Sequence, residues 1–182
     1  MLNILFRNYL IVMARVFLSL GSNLGDRLSN IQQAVRSLSM LDEVNVVKTS
    51  SFYDTEPWGN KKQNWFVNSA VAIDTTLSPQ ELLKKCQNIE YTLGRIRNQK
   101  ERWQERAIDI DILIYDDLIL TEPNLVIPHP YMHERAFVLV PMLEVKPDLM
   151  HPVFKKTISE LYDELDNPED VFLYGTVMPR QE

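Results

Sequence analysis

The sequence predicts an α+β fold, a ferredoxin-like βαββαβ sandwich with an extra C-terminal hairpin and helices. Three observations lead there. Apolar periodicities of two and of 3.6 alternate in the order β-α-β-β-α-β through residue 115, the split-βαβ order. The 182 residues are enough to bury one core without disulfides or metals as staples. No internal repeat, low-complexity tract or linker divides the chain, so residues 16–166 read as one domain.

Each element has a local cause. "VFLSL" (16–20) reads as a strand and ends at "GSNLGD", a strand-to-helix turn. In "DRLSNIQQAVRSLSML", Leu28, Ile31, Val35 and Leu38 fall at helical spacing, and Asp26 complements the helix start. "VNVVKTSSFYDTEP" (44–57) alternates as a strand and stops at Pro57, and "WFVNSAVAID" (65–74) is a third strand. The second helix carries a Ser78 N-cap, Pro79 at its first position, Glu81 for a capping box and Gly94 at its end.

A polar, cationic loop, 95–106, leads into "ERAIDIDILIYDD", where Ile108, Ile110, Ile112 and Ile114 occupy one strand register. Asp116-Asp117 begins a turn, with "LIL" returning as a short hairpin strand. "HERAFVLVPMLEV" starts as a helix broken near Pro141, and "TISELYDEL" (157–165) is a short amphipathic helix. The tail, 167–182, reads as acidic and irregular. Met13 directly precedes the first good strand, so residues 1–12 read as an upstream-start extension, and residues 1–15 are placed outside the core.

Composition narrows the function. A formal net charge of −6 opposes nucleic acid and anionic membrane as partners. The apolar N-terminus is interrupted by Asn3, Arg7 and Asn8 and is too short and polar to span a bilayer. A single cysteine, Cys86, excludes an internal disulfide and suits a cytoplasmic setting; it reads as a small buried side chain. No cluster has zinc spacing, and no Ser or Cys nucleophile motif appears.

The chemistry concentrates around the strand at 109–115. Asp109 and Asp111 share a face about 6.5–7 Å apart, where two ionised carboxylates repel. One reading pairs each with an upstream arginine: Arg95, Arg97, Lys100, Arg102 and Arg106 all precede them. The other is a divalent-metal site, since two hard oxygens on a rigid strand suit Mg²⁺ and substrate phosphates. Such a pair can hold two ions about 3.5–4 Å apart around a transferring phosphoryl group. The cationic loop would supply charge to the phosphate oxygens, arginine doing so in two-pronged fashion. Trp103, amid those cations, could cover a flat ligand. "GSNLGD" lacks the ending of a P-loop and reads equally as a tight turn needing glycine. Phe66 reads as core or ligand, Asn68 as a structural amide or a reader of a heterocycle edge. His129, between two prolines, reads as a loop residue or, beside Arg135, a phosphate contact.

Together "LSLGSNLGDR", "SSFYDTEPWG", "FVNSAV", "GRIR", "RW..RAIDIDIL" and "IPHPYMHERAFVLVP" resemble the 6-hydroxymethyl-7,8-dihydropterin pyrophosphokinase family of folate-pathway enzymes. The match covers roughly residues 16–150 in the family's order. The resemblance implies transfer of pyrophosphate from ATP to the pterin's hydroxymethyl oxygen, with AMP leaving. It implies two Mg²⁺ ions on Asp109 and Asp111. Gln87, Glu90, Arg97, Arg102, Trp103, Arg106, Ile112, His129 and Arg135 match the ATP site. Thr55, Trp58, Phe66, Asn68 and Phe137 match the pterin site, the two phenylalanines stacking on the ring. Arg95 and Arg106 match arginines implicated in catalysis. No general base stands out; alignment and charge stabilisation carry most of the effect.

Gln104 and Glu105 stand where the family usually has a small residue and Pro, Phe66 where some members have Tyr, and Asn124 and Val126 replace polar contacts seen in some members. Two other functions are weighed beside this one: another two-metal nucleotidyl or phosphoryl transferase, and a ferredoxin-like RNA-binding module, which the net charge opposes. The partners expected are ATP and the pterin, with no nucleic acid and no membrane. A monomer is expected, a dimer being the other option. The 95–106 loop, polar and without core residues, is expected to close over ATP.

Overall fold

The protein is described as a computed structural model over residues 13–58, 63–95 and 105–174. The elements run β1 (Ala14–Ser22), α1 (Arg27–Ser39), β2 (Val44–Thr49), β3 (Tyr53–Thr55), β4 (Phe66–Thr75), α2 (Pro79–Thr92) and β5 (Asp109–Tyr115). They continue as β6 (Leu120–Glu122), β7 (Leu125–Ile127), a 3-10 turn (Met132–Glu134), α3 (Ala136–Val145), α4 (Ile158–Asp163) and β8 (Val171–Leu173). The main sheet has the order β5-β1-β4-β3-β8, with β2 also pairing β4, and its pairings are antiparallel.

The helix starts expected from sequence are present. Asp26 accepts from Ser29 N at 3.0 Å, and Ser78 and Glu81 cap each other reciprocally at α2. Thr157 and Glu160 do the same at α4. A cap of this kind is worth about 1 kcal/mol, enough to fix where a short helix begins.

One face of the sheet packs on α1 and α2. Val16, Leu18 and Leu20 of β1 and Ile108, Ile110 and Ile112 near and on β5 join Ile31, Leu38, Leu82 and Cys86 in this core. Cys86 is wholly buried; burial, and then Glu90, push its thiol up to about 12, so it stays protonated and inert. The opposite face packs Phe17, Ala70, Ala72, Leu113 and Ile114 against Met132, Val138, Leu139 and Met142 from the 3-10 turn and α3.

Six details differ from the sequence reading. The four isoleucines do not share one face: the β1–β5 register shifts between Phe17 and Leu18, and past that bulge Ile114 packs into the α3 core. The expected strand over 44–57 is two strands; between them the Ser50 hydroxyl bonds Ser51 O and receives Ala70 N. Residues "LIL" do not form a strand returning to β5; Leu120 begins β6, which pairs with β7 in a separate two-stranded sheet. Helix α3 runs through Pro141. An interior proline costs about 3 kcal/mol. Burial of Val138, Leu139, Met142 and Val145, at about 1.5–3 kcal/mol each, outweighs that. Finally, the tail is not wholly irregular: β8 extends the main sheet beyond β3. At the other end β1 begins at Ala14, two residues ahead of the expected boundary. The expected extension over 1–12 lies outside the described residues.

No described helix is long and apolar enough to cross a membrane.

Candidate active site

Alternation along three strands builds the site. On the face that α3 covers, β1 presents Phe17, then Ser19 and Gly21; β4 presents Ala72 and Ala70, then Asn68 and Phe66; β5 presents Leu113, then Asp111 and Asp109. The apolar members of each series lie in the α3 core. The remaining members, Ser19, Gly21, Asn68, Phe66, Asp111 and Asp109, fall beyond it, and a cavity of about 560 Å³ opens over them. It is walled by Ser19, Gly21, Phe66, Asn68, Asp109 and Asp111, by Thr55 and Trp58, and by His129, Tyr131, Arg135 and Phe137. β5 is an end strand of the sheet, so the cavity also reaches Gln87 of α2 and Ile112.

Of the residues singled out from sequence, Gln87, Arg95, Arg106, Asp109, Asp111, Ile112, His129, Arg135, Thr55, Trp58, Phe66, Asn68 and Phe137 all line this cavity. Arg97, Arg102 and Trp103 lie outside the described residues, as does most of the 95–106 loop. Glu90 is absent from the cavity wall. It is 1% exposed, accepts from Ile110 N at 2.8 Å and pairs with Arg95 from behind.

The two aspartates differ sharply. Asp109 is gripped by Arg95 and Arg106, one on each carboxylate oxygen. Burial opposes its charge, but Arg106 and Arg95 outweigh burial and hold the carboxyl below its ordinary range. Burial, and then the neighbouring Asp109, push Asp111 up to about 7, with Arg135 pulling the other way. So the pairing of each aspartate with an arginine is half realised: Asp109 is neutralised by direct contact and Asp111 is left under-compensated in the cavity.

The cations are held by their surroundings. Arg135 lies 4.6 Å from the Trp58 ring centre, 5.3 Å from Tyr131 and 5.5 Å from Phe137. Arg106 sits 5.7 Å from Phe66. The His129 amide bonds Leu113 O at 2.8 Å, which carries this loop along β5. Burial, and then Arg135, push the His129 imidazole down to about 4, so it stands neutral at physiological pH. Its Nδ1 accepts the Tyr131 amide at 3.2 Å.

Sequence reasoning missed Asn23 and Tyr131. Asn23 is 1% exposed; its Oδ1 accepts from Arg106 N at 2.7 Å, and its backbone N–H donates to Arg106 O at 3.1 Å. An asparagine directly after the β1 strand, inside "GSNLGD", is the available signal. That motif is also divided in two: Gly25, with φ 66°, makes the turn, whereas Gly21 lies in β1. Glu105, one of the two departures from the family pattern, accepts from Asn64 Nδ2 at 2.7 Å and so ties the end of the cationic loop to the segment before β4.

Paired carboxylates, clustered guanidinium groups and flanking aromatics in one cleft suit an enzyme that transfers phosphoryl groups. Residues 17–147 match the family described as 7,8-dihydro-6-hydroxymethylpterin-pyrophosphokinase (HPPK). The chain belongs to that family and is thereby an ATP-dependent diphosphotransferase. It is 46% identical over 154 residues to the 2-amino-4-hydroxy-6-hydroxymethyldihydropteridine pyrophosphokinase of Methylorubrum extorquens, covering 85% of this chain and 95% of that one. The protein of the same name from Aquifex aeolicus is 40% identical over 152 residues, covering 84% and 92%. Among solved structures, the HPPK-DHPS A437G of Plasmodium falciparum shares the fold with a TM-score of 0.67 at 18% identity. That likeness covers 86% of this chain and 47% of the other.

Proposed function

We propose that the protein transfers pyrophosphate from ATP to 6-hydroxymethyl-7,8-dihydropterin, with Mg²⁺, releasing AMP, as a step of tetrahydrofolate biosynthesis. The observation that carries this is the single cavity holding Asp109, Asp111, Arg95, Arg106 and Arg135 beside Phe66, Asn68 and Phe137. In the reaction the hydroxymethyl oxygen bonds to the β-phosphorus of ATP. The bond from that phosphorus to the α-phosphate oxygen breaks, AMP leaves, and the hydroxyl proton passes to solvent.

Two Mg²⁺ ions fit the donors present. Asp111 is a carboxyl that a bound cation would hold ionised, and the Asp109 oxygens, which also meet Arg95 and Arg106, lie on the same strand face. Among the described residues no group of three or more His, Cys, Asp or Glu forms a metal cluster. Mg²⁺ uses one or two carboxylates and retains water, so two aspartates on one strand face are enough to hold it. When bound there, the ions supply positive charge to the phosphate oxygens.

Arg95 and Arg106, fixed on Asp109, stabilise charge developing on the transferred group. Gln87, Ile112, His129 and Arg135 bind ATP together with Arg97, Arg102 and Trp103. Thr55, Trp58, Phe66, Asn68 and Phe137 take the pterin, the phenylalanines on its faces. The order β5-β1-β4-β2 supports the ferredoxin-like sandwich as a single catalytic domain, whose sheet runs from Ala14 in β1 to Leu173 in β8.

The test is nucleotide analysis by chromatography after incubation with ATP, Mg²⁺ and the pterin alcohol. AMP should appear in equal amount with the pterin pyrophosphate, and only when all three are present. ADP as the product, or AMP formed without the pterin, would point to another phosphoryl transferase. Affinity for RNA at physiological salt with no nucleotide turnover would favour a binding module.

A further inference from the structure

We propose that residues 167–174 form a strap that sets the geometry of the substrate cavity, with Glu169 as its positioning residue. Helix α3 carries Phe137 and follows directly on Arg135, yet Arg135, its N-cap residue, gives it no side-chain cap. The first amide of the helix, Ala136 N, instead donates to Glu169 Oε2 at 2.9 Å, from 33 residues away. A carboxylate there meets an orphan donor and the positive end of the helix dipole at once.

The same carboxylate acts on Arg135. Arg135 Nε and Glu169 Oε1 are both buried with no hydrogen-bond partner among the described residues. Burial disfavours the Arg135 guanidinium, and the charges of Asp111, Asp109 and then Glu169 favour it. Arg135 thus senses carboxylates of the cavity on one element and Glu169 of the strap on another.

The strap is fastened on two other walls. β8 pairs with β3 in the register Thr55↔Val171, Asp54↔Phe172 and Tyr53↔Leu173. Glu56 N donates to Asp170 O at 2.9 Å, and Tyr174 N to Phe52 O at 2.8 Å. The Phe172 ring stacks on Trp65 at 6.0 Å, next to Phe66. One short segment thus touches the elements that carry Thr55, Phe66, Arg135 and Phe137. It lies beyond the family match, which ends at residue 147.

The test compares Glu169→Ala and Glu169→Gln in the full chain, by amide exchange and by steady-state kinetics. In Glu169→Ala, exchange of the Ala136 amide should rise about fivefold or more, the effect of a lost cap. The KM for ATP should rise by a similar factor with kcat changed less than about twofold. In Glu169→Gln, whose carboxamide oxygen still accepts, Ala136 should stay protected while the KM for ATP still rises, because the charge facing Arg135 is gone. Unchanged Ala136 exchange in Glu169→Ala overturns the proposal, as does an unchanged KM in both variants. Only the kinetic arm rests on the function proposed above. If the unmodified protein formed no AMP, that function would fall, and the amide arm alone would decide the strap.

Discussion

The side-chain oxygen of Asn68 lies 2.6 Å from where a Cβ on Gly21 would stand. The two residues are cross-strand partners of β1 and β4. Asn68 Nδ2 donates to Thr55 Oγ1 at 2.7 Å, which aims the carboxamide, and the bare Cα of Gly21 leaves room for it. Gly21→Ala therefore acts on Asn68. Displacing a packed group by one methyl costs about 1–3 kcal/mol, so pterin affinity should fall about tenfold or more. Titration calorimetry with the pterin and an ATP analogue checks this, with ATP-analogue affinity expected within about twofold. Equal loss for both ligands would count against a local effect on Asn68.

The two aspartates should fail in different ways. Asp109→Asn leaves Arg95 and Arg106 facing each other without their shared anion. Removing one partner of a buried pair costs roughly 3–5 kcal/mol; these groups are partly exposed, so about 2–4 kcal/mol is expected. Thermal unfolding should shift down by roughly 5–10 °C. Asp111→Asn removes a buried charge that Asp109 repels, so the unfolding temperature at neutral pH should hold or rise. Both variants should lose AMP formation, by about a hundredfold or more. Differential scanning calorimetry beside the AMP assay separates them. A stability loss of equal size in Asp111→Asn would refute the distinction.

How far the sequence carried depended on the range of the interactions. Ser78 and Glu81, three apart, announce a capping box, and the alternation of Asp109 and Asp111 with isoleucine announces a shared face; both are local. The β1–β5 bulge is not, because it arises between strands far apart in sequence, and so alternation alone puts Ile114 on the wrong side. The same holds for Glu169, whose capping of α3 spans 33 residues. Glu90 matches the ATP site through its motif. Its burial behind Arg95 follows from how α2 packs on β5, a tertiary fact that no motif spacing encodes.

That placement of Glu90 makes its own prediction. Its Oε1 takes the Ile110 amide at 2.8 Å as well as Arg95. Glu90→Gln keeps an acceptor for the amide but loses the charge that holds Arg95. A charge-assisted bond is roughly twice as strong as a neutral one, so Arg95 loosens. The kcat should fall about tenfold with the KM for ATP nearly unchanged. A raised KM for ATP at constant kcat would instead mark Glu90 as a direct nucleotide contact.

Acid sensitivity should trace in part to His151, far from the aspartates in sequence. It is 2% exposed, and its Nδ1 accepts the amides of Val153 and Phe154 at 3.2 Å each. Both bonds need the Nδ1 lone pair. The rings of Phe154 and His133 lie 4.7 Å and 6.5 Å away. Burial, and then His133, push His151 down to about 4. In the unfolded chain it titrates near 6.5. The unfolded state therefore binds the extra proton between those values. Stability is fully present above about pH 6.5 and is lost as pH falls toward 4. Each 1 kcal/mol lost should lower the unfolding temperature by about 2–4 °C in a chain of this size. His129, also near 4, adds to the same slope. His151→Asn offers a carboxamide oxygen to the two amides and has nothing to protonate, so its unfolding temperature should decline less between pH 7 and pH 4.5. Scanning calorimetry across that range decides it: parallel curves for the variant and the unmodified protein would remove His151 as a cause.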